Sequence, residues 1–520
     1  MGRLATTVPR VTAFAAVTGV APKLGVVLVA VLAAAALLVR APRVKAAATL
    51  GALVLAPVLL IADIWHSPQL HAVHRHPLLA AVAAVIAVVG VVAIALVIAR
   101  RPTLLAPLVV LALPFRIPIQ AGGATSNLLV PLYLVVAAGT LAFIASDLRA
   151  PADAGASNGA APEPRPGWIE RLLALYIVLY GVQSVYSPDF EKALQQMVFF
   201  YVPFALLFCL LRRLHWTPRL VRVCMYVVVG LALVFAAVGF VEYATKTIFL
   251  NPKLIAANDV HTYFTVNSVF FDPDIFGRFL ALVMIGLAVP LLFGRNAREQ
   301  IEATVVLAIL WVALVLTLSR SSLAALLVGL GTLAALRWKA SRMLLAGAIV
   351  IAIGAAAVLV SPKTFGLNQG INNASSGRAN LVSGGVDLFA DRPVWGYGSG
   401  SFAREYAAHH HNVSLTQSAS HTIAITIAAE QGVIGEIVYV ALVVAAAATL
   451  LRGARTDPAR AGVAAAFLAL VFHTLLYADF LEDPFTWTLL GVGVALAVQA
   501  RARPSPAGAP SADAAEAVPA

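Results

Sequence analysis

Two arginines, a set of histidines and a pair of aspartates carry the chemistry this otherwise apolar chain could perform. Arg320 lies in LTLSRSSLAALL, flanked by Ser319, Ser321 and Ser322 at a turn between two apolar runs. A guanidinium costs about 2.5 to 3.5 kcal/mol at the centre of a bilayer, so an arginine near a helix end points to an anionic partner or to a snorkelling position. The surrounding hydroxyls could add donors to a phosphate. Arg378 follows NNASSG and opens a short helix, ANLVSGGVDLFAD. Its Leu381, Val382, Val386 and Phe389 are expected to pack one side. Ser375 or Ser376 would cap that helix, so that its first amides and the guanidinium face the same anion. The plainer alternative is a surface arginine.

His409, His410 and His411 form a triplet, and His421 follows. A metal site is conceivable, but neighbouring histidines in an extended loop rarely converge on one ion and no carboxylate is suitably spaced. His66, His71, His74 and His76 are equally non-committal. One histidine acting as a general base is the more economical use, because imidazole titrates near neutrality. Asp272 and Asp274, in FFDPDIFGRF, resemble the Asp-x-Asp element with which many glycosyltransferases hold a divalent metal or contact substrate. The alternative is a Pro-containing helix entry in which Arg278 neutralises one carboxylate. GYGSGSF, with Gly396, Gly398 and Gly400, is not a nucleotide loop, since no strand and βαβ unit surrounds it; a tight turn with close backbone approach is expected.

The elements that must position these residues are membrane helices. The chain is 61% hydrophobic and 12% charged with mean hydropathy +0.90, against about 25% charged residues in a soluble domain. Runs such as 78–99 and 219–243 reach the roughly 20 residues needed to cross the hydrocarbon, and nothing alternates like a barrel strand. Cys209 and Cys224 both lie in apolar runs and read as packing residues. The net charge of +12 is scattered in short clusters at span ends, a topology signal that excludes nucleic acid as a partner. No cleavable signal peptide is evident, because the first apolar run, about 24–39, leads straight into a second.

From residue 200 onward, basic residues recur in every second loop: Arg212 to Arg222, Arg295 and Arg298, Arg337 to Arg342, Arg452 to Arg460, Arg501 and Arg503. The positive-inside rule puts these in the cytoplasm and the intervening loops, 361–432 above all, outside. The expected fold is an all-α polytopic membrane protein: an N-terminal extension (1–102) of two or three helices, then a domain of about 12 transmembrane helices over 103–500. A flexible cytoplasmic linker (148–168) interrupts that domain, and a disordered tail (501–520) follows it.

Three segments together resemble the O-antigen ligase and polymerase superfamily of bacterial membrane proteins. LTLSRSSLAAL is similar to its Ser-Arg turn. GRANLVSGGVDLFADRPVWGYGSGSF resembles its Arg, short helix and Gly-x-Gly loop. HTIAITIAAEQGVIG resembles its His-Asn element with downstream Glu and Gly, here His421, Glu430 and Gly432. Thr422 stands at the usual Asn, and His411–Asn412 is a rival register; Asp274 stands at the usual Asn of a Pro-Asn element. The resemblance implies a GT-C-like, inverting, metal-independent glycosyltransferase that needs no cofactor. It would move a glycan from a polyprenyl-pyrophosphate donor to a hydroxyl of a glycan, lipid or protein acceptor, outside the plasma membrane. Arg320 and Arg378 would hold the pyrophosphate, His421 (or His411) would be the base, and Glu430 would orient that histidine or cap the following span. The rivals are a lipid-linked glycan transporter or flippase, disfavoured because spans 275–360 carry almost no charge away from their ends, and a metal-dependent polyprenyl-monophosphate glycosyltransferase using Asp272 and Asp274.

Overall fold

The computed structural model describes residues 19–65, 74–121, 124–149, 165–249, 258, 264–338, 341, 347–348, 352, 378–410, 420–477 and 479–502. Its helices are α1 (Val20–Leu38), α2 (Pro42–Ile64), α3 (Pro77–Arg100), α4 (Leu105–Ala112), α5 (Val130–Arg149), α6 (Trp168–Ser184), α7 (Phe190–Arg213) and α8 (Pro218–Thr245). They continue with α9 (Pro273–Phe293), α10 (Ala297–Leu316), α11 (Arg320–Arg337), α12 (Arg378–Asp391), α13 (Phe402–His409), α14 (Ile423–Leu451), α15 (Pro458–Thr474) and α16 (Pro484–Ala502). Among the described residues, 11 helices are long and apolar enough to cross a membrane. The protein is therefore an all-α polytopic membrane protein. One antiparallel hairpin interrupts the helices, β1 (Ile117–Ala121) paired with β2 (Ala124–Leu128). Most of the span expected over 341–360, most of the 148–168 linker and the tail from 503 fall outside the described residues.

Helix starts follow local chemistry. Proline opens α2, α3, α8, α9 and α15, where its missing N–H costs nothing. Side chains of Thr217, Asp272, Asn296, Ser319 and Asp457 accept hydrogen bonds from the first-turn amides of their helices. Apolar residues from Ile423 onward begin α14 earlier than the expected loop end at 432, and the chain breaks helical geometry at Gly432 instead.

The basic loops gather at one end of the bundle. Arg212 pairs with Glu170 at 2.8 Å, and Arg213 pairs with Asp147. Arg337 donates to the Leu292 carbonyl at 2.8 Å, and Arg455 donates to Ala335 at 3.4 Å. Asp274 begins the helix that Leu292 ends, and a rise of about 1.5 Å per residue separates the two by most of a hydrocarbon thickness. Asp274 and its neighbours thus lie at the end opposite the basic loops.

Helices α9, α11 and α15 pack against one another beneath Asp274. Gly277 lets the serine turn of α11 close on α9: a Cβ there would sit 2.7 Å from Ser322 Oγ. The next residue, Arg278, pairs with Asp483 at 2.8 Å, with side chains only 2% and 1% exposed, and so ties α9 to the start of α16. Among the described residues the ion-pair partner of Arg278 is Asp483, fully enclosed, rather than Asp272 or Asp274. Either single replacement, Arg278→Leu or Asp483→Leu, strands a buried charge and should destabilise by about 3 to 5 kcal/mol. The double replacement should cost less than either alone in detergent unfolding measurements; a strictly additive loss would show that the two groups do not act as a pair.

Candidate active site

Two backbone segments cross at the non-basic end and fix the site. Tyr397 N–H donates to the Ala429 carbonyl at 3.0 Å, Gly398 to Glu430 at 2.8 Å and Val433 to Pro393 at 2.7 Å. Gly396 (φ 66) and Gly432 (φ 64) make that crossing possible. A Cβ on Gly396 would lie 2.3 Å from the Glu430 carbonyl oxygen, and one on Gly432 would lie 2.3 Å from that of Val394. Helix α6 and the turn after it grip the same loop: Tyr186 donates to the Trp395 carbonyl at 2.7 Å, and Ser399 donates to that of Tyr180 at 3.0 Å.

Glu430 does not orient a histidine. Its carboxylate accepts the Gly400 N–H at 2.8 Å and the Phe402 N–H at 3.0 Å, holding the GYGSGSF turn against the start of α13. That is a scaffold role, and it explains why a carboxylate can be buried in so apolar a setting.

Helix α12 carries Arg378 in its first described turn, and it packs through Leu381, Gly384, Gly385 and Leu388. Val386 is exposed instead. The two glycines decide the face, since a Cβ at Gly384 would lie 2.5 Å from Tyr406 and one at Gly385 would lie 2.3 Å from Ile425. Ser375 and Ser376, the expected caps, lie outside the described residues.

Arg378 Nη2 reaches 3.7 Å from Asp274 Oδ2. The hydroxyls of Ser319 and Ser321 both donate to Asp274 Oδ1, the latter at 3.1 Å, and Ser322 donates to the Asp274 carbonyl at 3.2 Å. The serines expected to bind a phosphate are therefore engaged with a carboxylate. Asp272 accepts the Asp274 N–H at 2.7 Å and the Tyr477 hydroxyl at 3.2 Å. Burial, reinforced by the charge of Asp274, raises its pKa above the ordinary carboxylate value. No group of three His, Cys, Asp or Glu side chains placed to hold a metal ion occurs among the described residues.

His421 occupies a left-handed conformation (φ 54) in the turn before α14. Ser420 brackets it by accepting the Thr422 N–H at 3.1 Å, and Thr422 anchors it by donating to the Leu475 carbonyl at 3.2 Å. Thr422 thus has a structural use at the position of the familiar Asn. The His421 ring meets Tyr477 edge-on at 6.2 Å between centroids. Its pKa is lowered from the ordinary value, first by burial and then by the Arg378 charge, with Asp274 opposing. The imidazole is therefore neutral at neutral pH and able to accept a proton.

The structure brings Asp272, Asp274, Arg378 and His421 into one cluster. Arg320, between two hydroxyl partners of Asp274, is exposed and makes no ion pair or hydrogen bond among the described residues. His409 bonds the Glu405 carbonyl and lies 3.8 Å from Asp391, while His410 stacks on Tyr406 at 4.3 Å; both belong to the packing of α12 and α13. His74 packs on Trp65, and His66, His71 and His411 lie outside the described residues. Sequence reasoning missed Tyr477 and His473, although an ionisable residue in the last turn of an apolar helix is itself a signal.

The crossed glycines give a direct check. Gly432→Ala and Gly396→Ala should each lose at least about 1 to 2 kcal/mol from the left-handed backbone alone, with the backbone clash added. Gly331→Ala, in open space on α11, should be neutral or slightly stabilising. Equal melting temperatures for all three would contradict the crossing.

No curated protein matches the chain. Residues 305–440, the stretch that carries Arg320, Arg378, His421 and Glu430, match the family model described as O-antigen ligase, and this match supports the resemblance to the O-antigen ligase and polymerase family.

Proposed function

We propose that the protein transfers a glycan from a polyprenyl-pyrophosphate donor to an acceptor hydroxyl at the outer face of the plasma membrane, as a ligase or polymerase of envelope polysaccharide. The family supports a glycosyltransferase-like membrane enzyme of polysaccharide assembly. The observation that carries the finer reading is a half-buried His421 that feels the charge of Arg378, which is itself paired with Asp274 at one end of a membrane bundle.

In this reading the donor's pyrophosphate lies against Arg378 and the exposed Arg320, and its prenyl chain stays in the bilayer. The neutral imidazole of His421 takes the proton of the acceptor hydroxyl as that oxygen forms a bond to the anomeric carbon. The anomeric C–O bond to the pyrophosphate breaks, its electron pair passes to the phosphate oxygen, and the guanidinium groups meet the developing charge. Attack opposite the leaving group inverts the anomeric centre. Asp274 holds Arg378 before donor arrives.

Transfer from a polyprenyl-pyrophosphate oligosaccharide tests this directly. His421→Ala should cut turnover by about 10² to 10⁴ and leave donor binding nearly intact. Arg378→Ala should weaken donor binding as well. The wild-type acid limb of kcat/KM should fall below the ordinary histidine value of 6.5, because burial and Arg378 both disfavour the imidazolium. In the residual activity of Arg378→Gln that limb should move to higher pH, and in Asp274→Asn to lower pH. Unmoved limbs would remove His421 as the base.

Sidedness follows from the same reading. Cysteines placed at the exposed Ser383 and Thr456 should label oppositely with an impermeant reagent in intact cells, Ser383→Cys from outside and Thr456→Cys only after permeabilisation. The reverse pattern would put the site in the cytoplasm and end the proposal.

A further inference from the structure

His473, in the last turn of α15, is fully buried, and the function proposed above gives it no task. Its Nε2 lies 3.3 Å from both Ser321 Oγ and Ser322 Oγ. Its Nδ1 has no hydrogen-bond partner among the described residues. A proton count decides what the ring does. Each serine hydroxyl has one proton to give. Ser319 has two acceptors in reach, Ser322 Oγ at 2.7 Å and the nearer, charged Asp274 Oδ1, which takes its proton; Ser321 also donates to Asp274 Oδ1, and Ser322 donates to the Asp274 carbonyl oxygen. No serine proton is left for a bare Nε2, so Nε2 must be the donor, shared between the two serine oxygens. With the opposite tautomer, a serine would have to turn its proton away from Asp274, and an Nδ1–H would be left buried without an acceptor.

We infer that His473 is a positioning residue of the site: as the Nε2–H tautomer it fixes the Ser321 and Ser322 hydroxyls so that Asp274 receives their protons and presents Oδ2 to Arg378. The chain of contacts is continuous from His473 through the serines and Asp274 to the 3.7 Å pair with Arg378. It places the control of an outer-loop arginine inside the helix bundle. Three elements with no local sequence relation, α9, α11 and α15, each contribute one link. The consequence is specific. Loss of the Nε2 donor should loosen Arg378 and raise the donor KM more than it lowers kcat.

This inference rests on the reading of Arg378 as a donor-binding group, and the test separates the two. In the full-length protein, His473→Leu should raise donor KM by about tenfold or more, the scale of one hydrogen bond to a charged group. His473→Gln, which can place an amide N–H where Nε2 stood, should rescue most of that loss, and His473→Asn, too short to reach, should not. In the Arg378→Ala background, His473→Leu should add little further loss, because the arginine it positions is gone. Independently of any activity, ring ¹⁵N spectra of labelled protein should contain a pyrrole-like Nε2 and a pyridine-like Nδ1 that vanish together in His473→Gln. The reverse tautomer, a Gln variant that misfolds or is as impaired as Leu, or full additivity with Arg378→Ala would each overturn the positioning role. Absence of donor binding in the wild-type protein with the tautomer as stated would instead overturn the reading of Arg378.

Discussion

A carboxylate taken out of water must be met by donors, and this constraint organises the non-basic end of the protein. Glu242 accepts the Ser268 N–H at 2.7 Å and that of Asn267 at 3.2 Å, which shapes the approach to α9. Asp483 takes Arg278, Glu430 takes the amides of the GYGSGSF turn, and Asp274 takes the serines of α11. An unmet charge in such surroundings costs several kcal/mol, so each contact is obligatory and each joins segments far apart in the chain. The irregular backbone between the helices is tolerated because these anions and the Gly396–Gly432 crossing satisfy it from within.

Much of this was legible in the sequence where the signal was local. Apolar runs of sufficient length gave the spans, proline and side-chain caps gave their starts, and the GYGSGSF glycines gave a tight turn. A short helix over the residues that follow Arg378 was readable from the spacing of its apolar side chains. Its buried face was not, because an apolar stripe counts side chains only, whereas close approach to Tyr406 and Ile425 makes Gly384 and Gly385 the contact. Partnerships across the chain were beyond local spacing. Arg278 lies four residues from Asp274, yet it pairs with Asp483, and Glu430 lies on the helix that follows His421, yet it serves the loop before it. Charge proximity in sequence is a weak guide once a better enclosed partner exists in space.

His473 illustrates a different failure. Within AAAFLALVFHTLLY the apolar run reads as a span whatever the ring does, although burying an ionisable group there demands a reason. The reason is visible only with Ser321, Ser322 and Asp274 in place.

Backbone strain is concentrated at the same end. His421 (φ 54), Leu318 (φ 53) and Asp479 (φ 100) adopt conformations that side chains rarely hold, and each adjoins the cluster around Asp274 and Tyr477. Such residues cost about 1 to 3 kcal/mol apiece and persist only where the surroundings over-determine them. Here Ser420 and Thr422 bracket His421, and the Thr317 hydroxyl accepts the Ser319 N–H at 3.2 Å beyond Leu318. An imidazole held in this way beside Arg378 has its position set by the surrounding backbone rather than by its own rotamer freedom. The rigid bundle supplies the energy that keeps such residues there, which is why the strained turns sit on the ends of α10, α14 and α15 rather than within an independent loop domain.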